Sequence, residues 1–299
     1  MISKNLPIPK PWEAVGLSTL HKCGIIKPMT LPKTIGHEKQ KRYFEQARDA
    51  GRLAHAYAFV GEPGIGKTSF ALELAREIFG AEPTLDTFLL GESEPMRVED
   101  ARNLQNLLAL TPAGKSKVAI LNADTLDAEA ASALLKTLEE PPARSVLILV
   151  VSNFYKVLPT IASRVQKIVF GRVSDEQISA ILDQYDLDTS RKQEILSLAD
   201  GRIGLAKRLT TDETFFVSMK SFAEYFETLK SLERFKRLQT SARLAELETD
   251  QLHDFVRFGM RKFAIEPFAR PQLGQKLVDA WRDLGANVNV RLALDNLFL

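Results

Sequence analysis

The chain of 299 residues carries a formal net charge of +2, with 45% hydrophobic and 26% charged residues. That is the balance of a globular protein with room for two or three domains, and so small a charge excludes a global basic field for gripping nucleic acid. One cysteine, Cys23, excludes an intrachain disulfide; no apolar run approaches the roughly 18 residues of a membrane span, and the start has no signal-peptide core, so the chain reads as cytoplasmic with no membrane partner.

Residues 1–33 are rich in proline and lysine (Pro7, Pro9, Pro11, Pro28, Pro32) without helical or strand period, and read as an arm. Order is expected from Ile35-Gly36-His37. Glu38 to Ala50 then predicts a helix with Tyr43, Phe44 and Ala47 on one side. The apolar run Ala56-Tyr-Ala-Phe-Val60 predicts a strand, and Ser69 to Ile78 a helix.

Between them stands Gly61-Glu-Pro-Gly-Ile-Gly-Lys-Thr68, with the spacing G-x-x-x-x-G-K-T of a Walker A phosphate loop in its strand-to-helix setting. Glycines let successive N–H groups turn toward phosphate oxygens, and the next helix adds its positive end. The candidate nucleotide contacts are Gly61, Gly64, Ile65, Gly66, Lys67, Thr68 and Ser69. Lys67 suits the β- and γ-phosphates, and the Thr68 hydroxyl suits Mg²⁺. The expected ligand is ATP or ADP with Mg²⁺. The bland alternative is a glycine turn that merely joins strand to helix.

Further on, Thr87–Leu90 reads as a strand and Val98–Leu110 as a helix with Val98, Ala101, Leu104, Leu107 and Leu108 on its apolar face. Lys117–Leu121 is a strand, Ala128–Glu140 a helix stopped by Pro141-Pro142, and Ser145–Val151 a buried strand. Leu158–Ser163 gives a short helix and Val165–Phe170 a last strand. Alternating strands and helices predict an α/β domain with a parallel sheet. Beyond Arg172 the chain reads as helical: Asp175–Leu182, Ser190–Ala199 and a third helix after Asp200-Gly-Arg-Ile-Gly204. Stripes at Phe215, Met219, Phe222, Phe226, Leu229 and at Leu252, Phe255, Val256, Met260, Phe263 fit a bundle burying its own core, or an oligomerisation surface.

Ala133-Leu-Leu-Lys-Thr-Leu-Glu-Glu-Pro-Pro142 and Leu158-Pro-Thr-Ile-Ala-Ser-Arg164 resemble segments of the AAA+ ATPases of DNA clamp loaders, and within them the delta-prime type of the bacterial DNA polymerase III. His55-Ala-Tyr-Ala-Phe59, Thr111-Pro-Ala-Gly-Lys115 and the ending Asn287 to Leu297 fit the same family. The resemblance runs from about residue 35 to the end. It implies a P-loop domain (34–170), a small helical lid (171–209) and an all-α collar (210–299). It also implies a heteropentamer with gamma/tau and delta subunits that loads a sliding clamp on primed DNA. Ser163 and Arg164 match the Ser-Arg-Cys motif, here Ser-Arg-Val. The resemblance gives Arg164 the role of an arginine finger reaching a neighbour's γ-phosphate, for which a permanently charged guanidinium is suited. The bland alternative is a surface salt bridge.

The hydrolytic residues of the family are where the chain departs. Counted back from Ala133, the Asp-Glu pair of motor subunits falls on Leu121 and Asn122, neither a carboxylate. Asp124 is read as starting the following turn rather than replacing them. The sensor-2 arginine position falls on Gly204, with Arg202 on another helical face, and the sensor-1 position on Ser152 or Asn153. Phe79–Arg97 holds no Cys or His, so the four-cysteine zinc module of relatives has no counterpart. The expectation is a subunit that holds nucleotide but hydrolyses it poorly. The alternatives are a hydrolysing gamma-like motor and an unrelated P-loop kinase or ATPase. Lys115, Lys117 and Arg144 are candidates for local DNA contact.

Overall fold

A computed structural model of the protein describes residues 34, 36–91, 95–228, 234–247, 249–265, 271–284 and 289–298. The arm 1–33 with Cys23 lies outside the described residues, as do Ile35, Leu229 and Asn287.

Chain order is α1 (Glu38–Asp49), β1 (Ala56–Val60), α2 (Lys67–Glu77), β2 (Thr87–Leu90), α3 (Val98–Ala109), β3 (Lys117–Asn122), α4 (Ala128–Glu139), β4 (Ser145–Val151), α5 (Pro159–Ala162) and β5 (Gln166–Val169). Among the described residues the strands form one parallel sheet in the order β2-β3-β4-β1-β5. Every pairing is parallel, with Phe59 opposite Val150 and Leu121 opposite Leu149. Parallel strands covered on both faces need apolar residues on both, and the period of two divides them cleanly. Tyr57, Phe59, Val118, Ile120, Ile148 and Val150 join one buried cluster with Phe44 of α1 and Phe70 and Leu74 of α2. Ala56, Ala58, Ala119, Leu121, Leu147 and Leu149 join the other with Leu104 of α3 and Leu134 and Leu138 of α4. The small alanines on the second face let α3 and α4 lie close to the sheet.

The predicted elements lie where the periodicity places them, with shifts at their ends. α2 begins at Lys67, two residues before the apolar run, because Gly66 takes a left-handed φ of 98° as its cap and Phe70 N–H already bonds to Gly66 O at 2.9 Å. α3 carries a capping box in which Asp100 accepts from Arg97 N–H at 2.8 Å.

Between α2 and β2 a compact closure is built around Asp86, which has no exposure. Its carboxylate accepts from Glu82 N–H (3.2 Å), Ala113 N–H (3.0 Å), Gly114 N–H (2.6 Å) and Lys117 Nζ (3.3 Å). Burial alone would raise its pKa, but the donors from Gly114, Ala113, Glu82 and Lys117 outweigh it and hold the carboxyl below its ordinary value. Lys117, named from sequence as a DNA-contact candidate, is corrected here: it is 5% exposed and committed to Asp86. Lys115 and Arg144 remain exposed.

Among the described residues helices then follow without strands: α6 (Asp175–Leu182), α7 (Thr189–Ala199), α8 (Ile203–Thr211), α9 (Glu213–Thr228), α10 (Arg234–Leu244), α11 (Thr249–Ile265), α12 (Pro271–Leu284) and α13 (Val290–Phe298). The chain divides into two compact units, one of residues 1–184 with 200–205, the other of 185–199 with 206–299. In the second, α11 packs on α9 and α12, and α13 on α10 and α12. Phe255 is its centre, with the rings of Phe226, Phe222 and Phe298 at 4.9, 5.1 and 6.3 Å. Gly259 lets Phe226 and Leu277 reach the α11 backbone, where a Cβ would collide with both. Met219, Phe222, Leu252, Phe255 and Val256 are buried, as their spacing predicts. Phe216 and Phe258 are buried too, while Phe215 is only half-buried beneath the Arg208 guanidinium, 3.7 Å from its ring. Among the described residues no helix is long and apolar enough to cross a membrane.

Candidate nucleotide-binding site

β1 is the point at which the strand order reverses, with β4 on one side and β5 on the other. Crevices at the carboxyl ends of such strands are where open parallel sheets bind ligands. Gly61 N–H bonds to Val151 O at 3.1 Å, fixing the mouth of the loop to β4. Gly64 and Gly66 hold φ values of 84° and 98°, which side-chain-bearing residues rarely adopt. They turn the loop so that the start of α2, whose first N–H groups have no intrahelical partner, faces the crevice.

Lys67 is 6% exposed and its Nζ donates to Gly61 O (2.6 Å) and Glu62 O (2.8 Å). Burial pulls its pKa down to about 8, against the opposing pull of the Asp124 and Glu62 carboxylates. Its two acceptors are neutral carbonyls; a phosphate oxygen offers the same hydrogen bond with full negative charge.

The crevice, a cavity of about 300 Å³, is lined by Gly64, Lys67, Thr68, Asn122, Asp124 and Ser152 among others. Leu121 points into the opposite core cluster, so the last residue of β3 on the cavity side is Asn122. Its Nδ2 donates to Gly91 O at 2.9 Å, and its Oδ1 accepts from Asp124 N–H at 3.2 Å. Asp124 does sit in the turn read from sequence, a 3₁₀ turn over Ala123–Thr125, but that turn also delivers its carboxylate to the cavity wall. There it accepts Ser152 N–H at 2.9 and 3.0 Å and the Ser152 hydroxyl. The sequence reading weighs Asp124 and places it in this turn, as observed, but does not show that the turn brings its carboxylate to the cavity. For a magnesium ion the fitting donors are the Thr68 hydroxyl and the Asp124 carboxylate, hard oxygens lining one cavity.

The first turn of α8 closes another side. Gly204 N–H donates to Gly64 O at 2.7 Å, and a Cβ on Gly204 would lie 2.9 Å from that oxygen. Glycine here is therefore a condition of helix and phosphate loop touching, and the position has no side chain to offer a phosphate. Arg202, just before α8, is 3% exposed, with Asp200 and Glu62 supporting a charge that burial opposes. His37 is a residue the sequence reading gave no role at the site. Its Nε2–H donates to Ile65 O at 2.8 Å, and its ring sits edge-on to Phe170 and Phe70. Burial holds its pKa below the ordinary histidine value.

Of the residues predicted to touch nucleotide, Gly64, Gly66, Lys67, Thr68 and Ser69 line the cavity. Gly61 takes part through its carbonyl, and the Ile65 side chain is core, 1% exposed. Ser163 and Arg164 stand outside the lining, at the end of α5. The Arg164 guanidinium contacts Glu139, Thr160 O and Ser163 Oγ.

Residues 83–174 match the family model described as "DNA polymerase III, delta subunit". Over 200 residues the chain is 29% identical to the DNA polymerase III subunit gamma/tau of Mycoplasma pneumoniae, covering 60% of this chain and 29% of that one. Over 157 residues it is 31% identical to the replication factor C small subunit of Methanocella arvoryzae, covering 51% and 48%. The chain thus spans less than half the length of either relative. In fold it is similar to a DNA polymerase III gamma subunit-related protein of Thermotoga maritima, with a TM-score of 0.53 at 21% identity over 85% of this chain and 97% of that one. The likeness to the solved structure is one of fold.

Proposed function

We propose that the chain is a clamp-loader subunit of the delta-prime type, a stator that holds ATP or ADP with Mg²⁺, turns it over little, and lends Arg164 to nucleotide held by a neighbour. The observation that carries this reading is the composition of one cavity. Its phosphate-holding half is complete in Gly64, Gly66, Lys67 and Thr68, while β3 ends in Asn122 and α8 offers Gly204. An amide cannot serve as general base for water, and glycine supplies no charge to the γ-phosphate. Arg164 lies outside that cavity, which suits a group acting on another subunit's nucleotide.

In this reading the lid is residues 171–209 and the collar 210–299, the latter packing with gamma/tau and delta subunits in a cytoplasmic heteropentamer. Nucleotide in the partners drives opening of the sliding clamp and its placement on primed DNA. The test is equilibrium binding of ATP with Mg²⁺ to the full chain, with turnover followed in parallel. Binding lost in Lys67→Ala, with no steady-state hydrolysis in either protein, supports the stator; nucleotide-free behaviour of the wild type would sink it.

A second reading, a hydrolysing gamma-type subunit, is favoured by one observation: Asp124 lines the same cavity as Lys67 and Thr68. It requires turnover by the isolated chain that Asp124→Asn abolishes. The stator reading expects Asp124→Asn to weaken only the magnesium-dependent part of ATP affinity, by about tenfold, the size seen when a metal's supporting oxygen is lost.

A further inference from the structure

The Leu-Glu-Glu-Pro-Pro end of α4 takes no part in the phosphate cavity, yet its first glutamate meets Arg164. Glu139, the last residue of α4, forms an ion pair with Arg164, its Oε1 2.8 Å from Nη2. Nη1 donates to Thr160 O at 2.8 Å and to Ser163 Oγ at 3.1 Å, and that hydroxyl is itself held by Thr160 O at 3.1 Å. The backbone beneath is pinned by Arg164 N–H to Ile161 O at 2.9 Å. α4 and α5 are fixed to each other through Leu138 and Ile161, which share one core cluster. The guanidinium is thus held from two elements that do not move independently, by hydrogen bonds to α5 and by charge from α4. A guanidinium has five N–H donors; the hydrogen bonds here are made by Nη1, while Nη2 is drawn to the Glu139 carboxylate by charge.

An exposed ion pair of this kind adds little to stability. The Arg164 and Glu139 side chains are 36% and 52% exposed. Its effect is on the rotamers of a long side chain, which without these contacts would spread over many directions. We propose that Glu139 is the positioning residue for Arg164, holding the guanidinium so that N–H groups not bonded to α5 face a neighbouring subunit's phosphate. This rests on the proposed action of Arg164 in trans. The charge of Glu139 does this positioning, because its contact with Nη2 is an ion pair, while the hydrogen bonds to Thr160 O and Ser163 Oγ come from α5 alone. Preorganisation of this sort raises the rate of the chemical step and leaves the partner's affinity for ATP nearly alone.

The experiment is steady-state ATP hydrolysis by the full assembly with a motor subunit, clamp and primed DNA, read as kcat and KM separately. Arg164→Ala is expected to remove most of the partner's turnover. Glu139→Ala is expected to lower kcat by about tenfold with KM within about twofold, the pattern of a misplaced catalytic group. Glu139→Gln, which keeps the shape and removes the charge, is expected to lose as much as Glu139→Ala, and Glu140→Ala to behave as wild type. If Arg164→Ala is defective but Glu139→Ala is normal or faster, the positioning role is wrong and the finger stands. If Glu139→Gln keeps the wild-type kcat while Glu139→Ala does not, positioning by the ion pair is overturned. No effect of Arg164→Ala overturns both this inference and the reading beneath it.

Discussion

A lysine ammonium at 6% exposure, hydrogen-bonded to two neutral carbonyls, keeps its proton less readily than one in water. With its pKa near 8, Lys67 is mostly charged at neutral pH and mostly neutral at pH 9. A bound phosphate raises that pKa, so binding above pH 8 must take up a proton. ATP affinity is therefore expected to be flat below about pH 7 and to fall by up to about tenfold per pH unit above pH 8. Calorimetry in buffers of different ionisation enthalpy checks this, since proton uptake should appear at pH 8.5 and be absent at pH 6.5. An affinity flat to pH 9.5 would mean that Lys67 keeps an ordinary pKa. The lysine and its glycines were legible in the sequence because the motif fixes backbone and charge together. Asp124 was placed in its turn, but its approach to the cavity was not legible, nor was the His37 contact, since each reaches the site from a distance in sequence and no spacing rule encodes that approach.

Among the elements, the sheet was readable nearly residue for residue, because a strand covered on both faces must be an unbroken apolar run, as Ser145–Val151 is. Helix ends were less so: α2 starts early because Gly66 caps it through backbone conformation, which composition does not reveal. In α9 the four-residue stripe named Phe215, but Phe216 is buried, because Arg208 covers Phe215 and Arg191 stacks on Phe216 at 3.0 Å. The closure around Asp86 was unreadable as well, since it gathers N–H groups from Glu82, Ala113 and Gly114. Asp86→Asn leaves the Lys117 charge buried without a counter-ion and is expected to cost about 3 kcal/mol in denaturant unfolding. The sign of its pH dependence follows from the depressed pKa. The Asp86 contribution is complete above the unfolded carboxyl value of about 4 and is lost as pH falls through its lower folded value. The variant should accordingly show a shallower acid loss than wild type. At α8, Gly204→Ala must push the helix off Gly64 O, and ATP affinity is expected to drop by about tenfold, the size of a modest overpacking. Unchanged affinity would show that the helix start yields without disturbing the loop.

For the whole molecule, the division of labour is what the account proposes: a site that keeps nucleotide and a separate arginine, about a third exposed, for someone else's. A motor subunit would place base, metal ligand and sensor arginine around one cavity, whereas here β3 ends in an amide and the first turn of α8 sets Gly204 against the phosphate loop. Such a chain contributes to turnover only in company, so measurements on it alone test half the claim. The direct measurement is ATP turnover by the chain alone and by the complete assembly, each as wild type and as Arg164→Ala. The account expects no turnover alone, and in the assembly a fall in kcat of at least about 10³-fold at the neighbouring site, the worth of an arginine finger. Turnover by the isolated chain that survives Arg164→Ala and disappears in Lys67→Ala would contradict it, and would make this chain a motor.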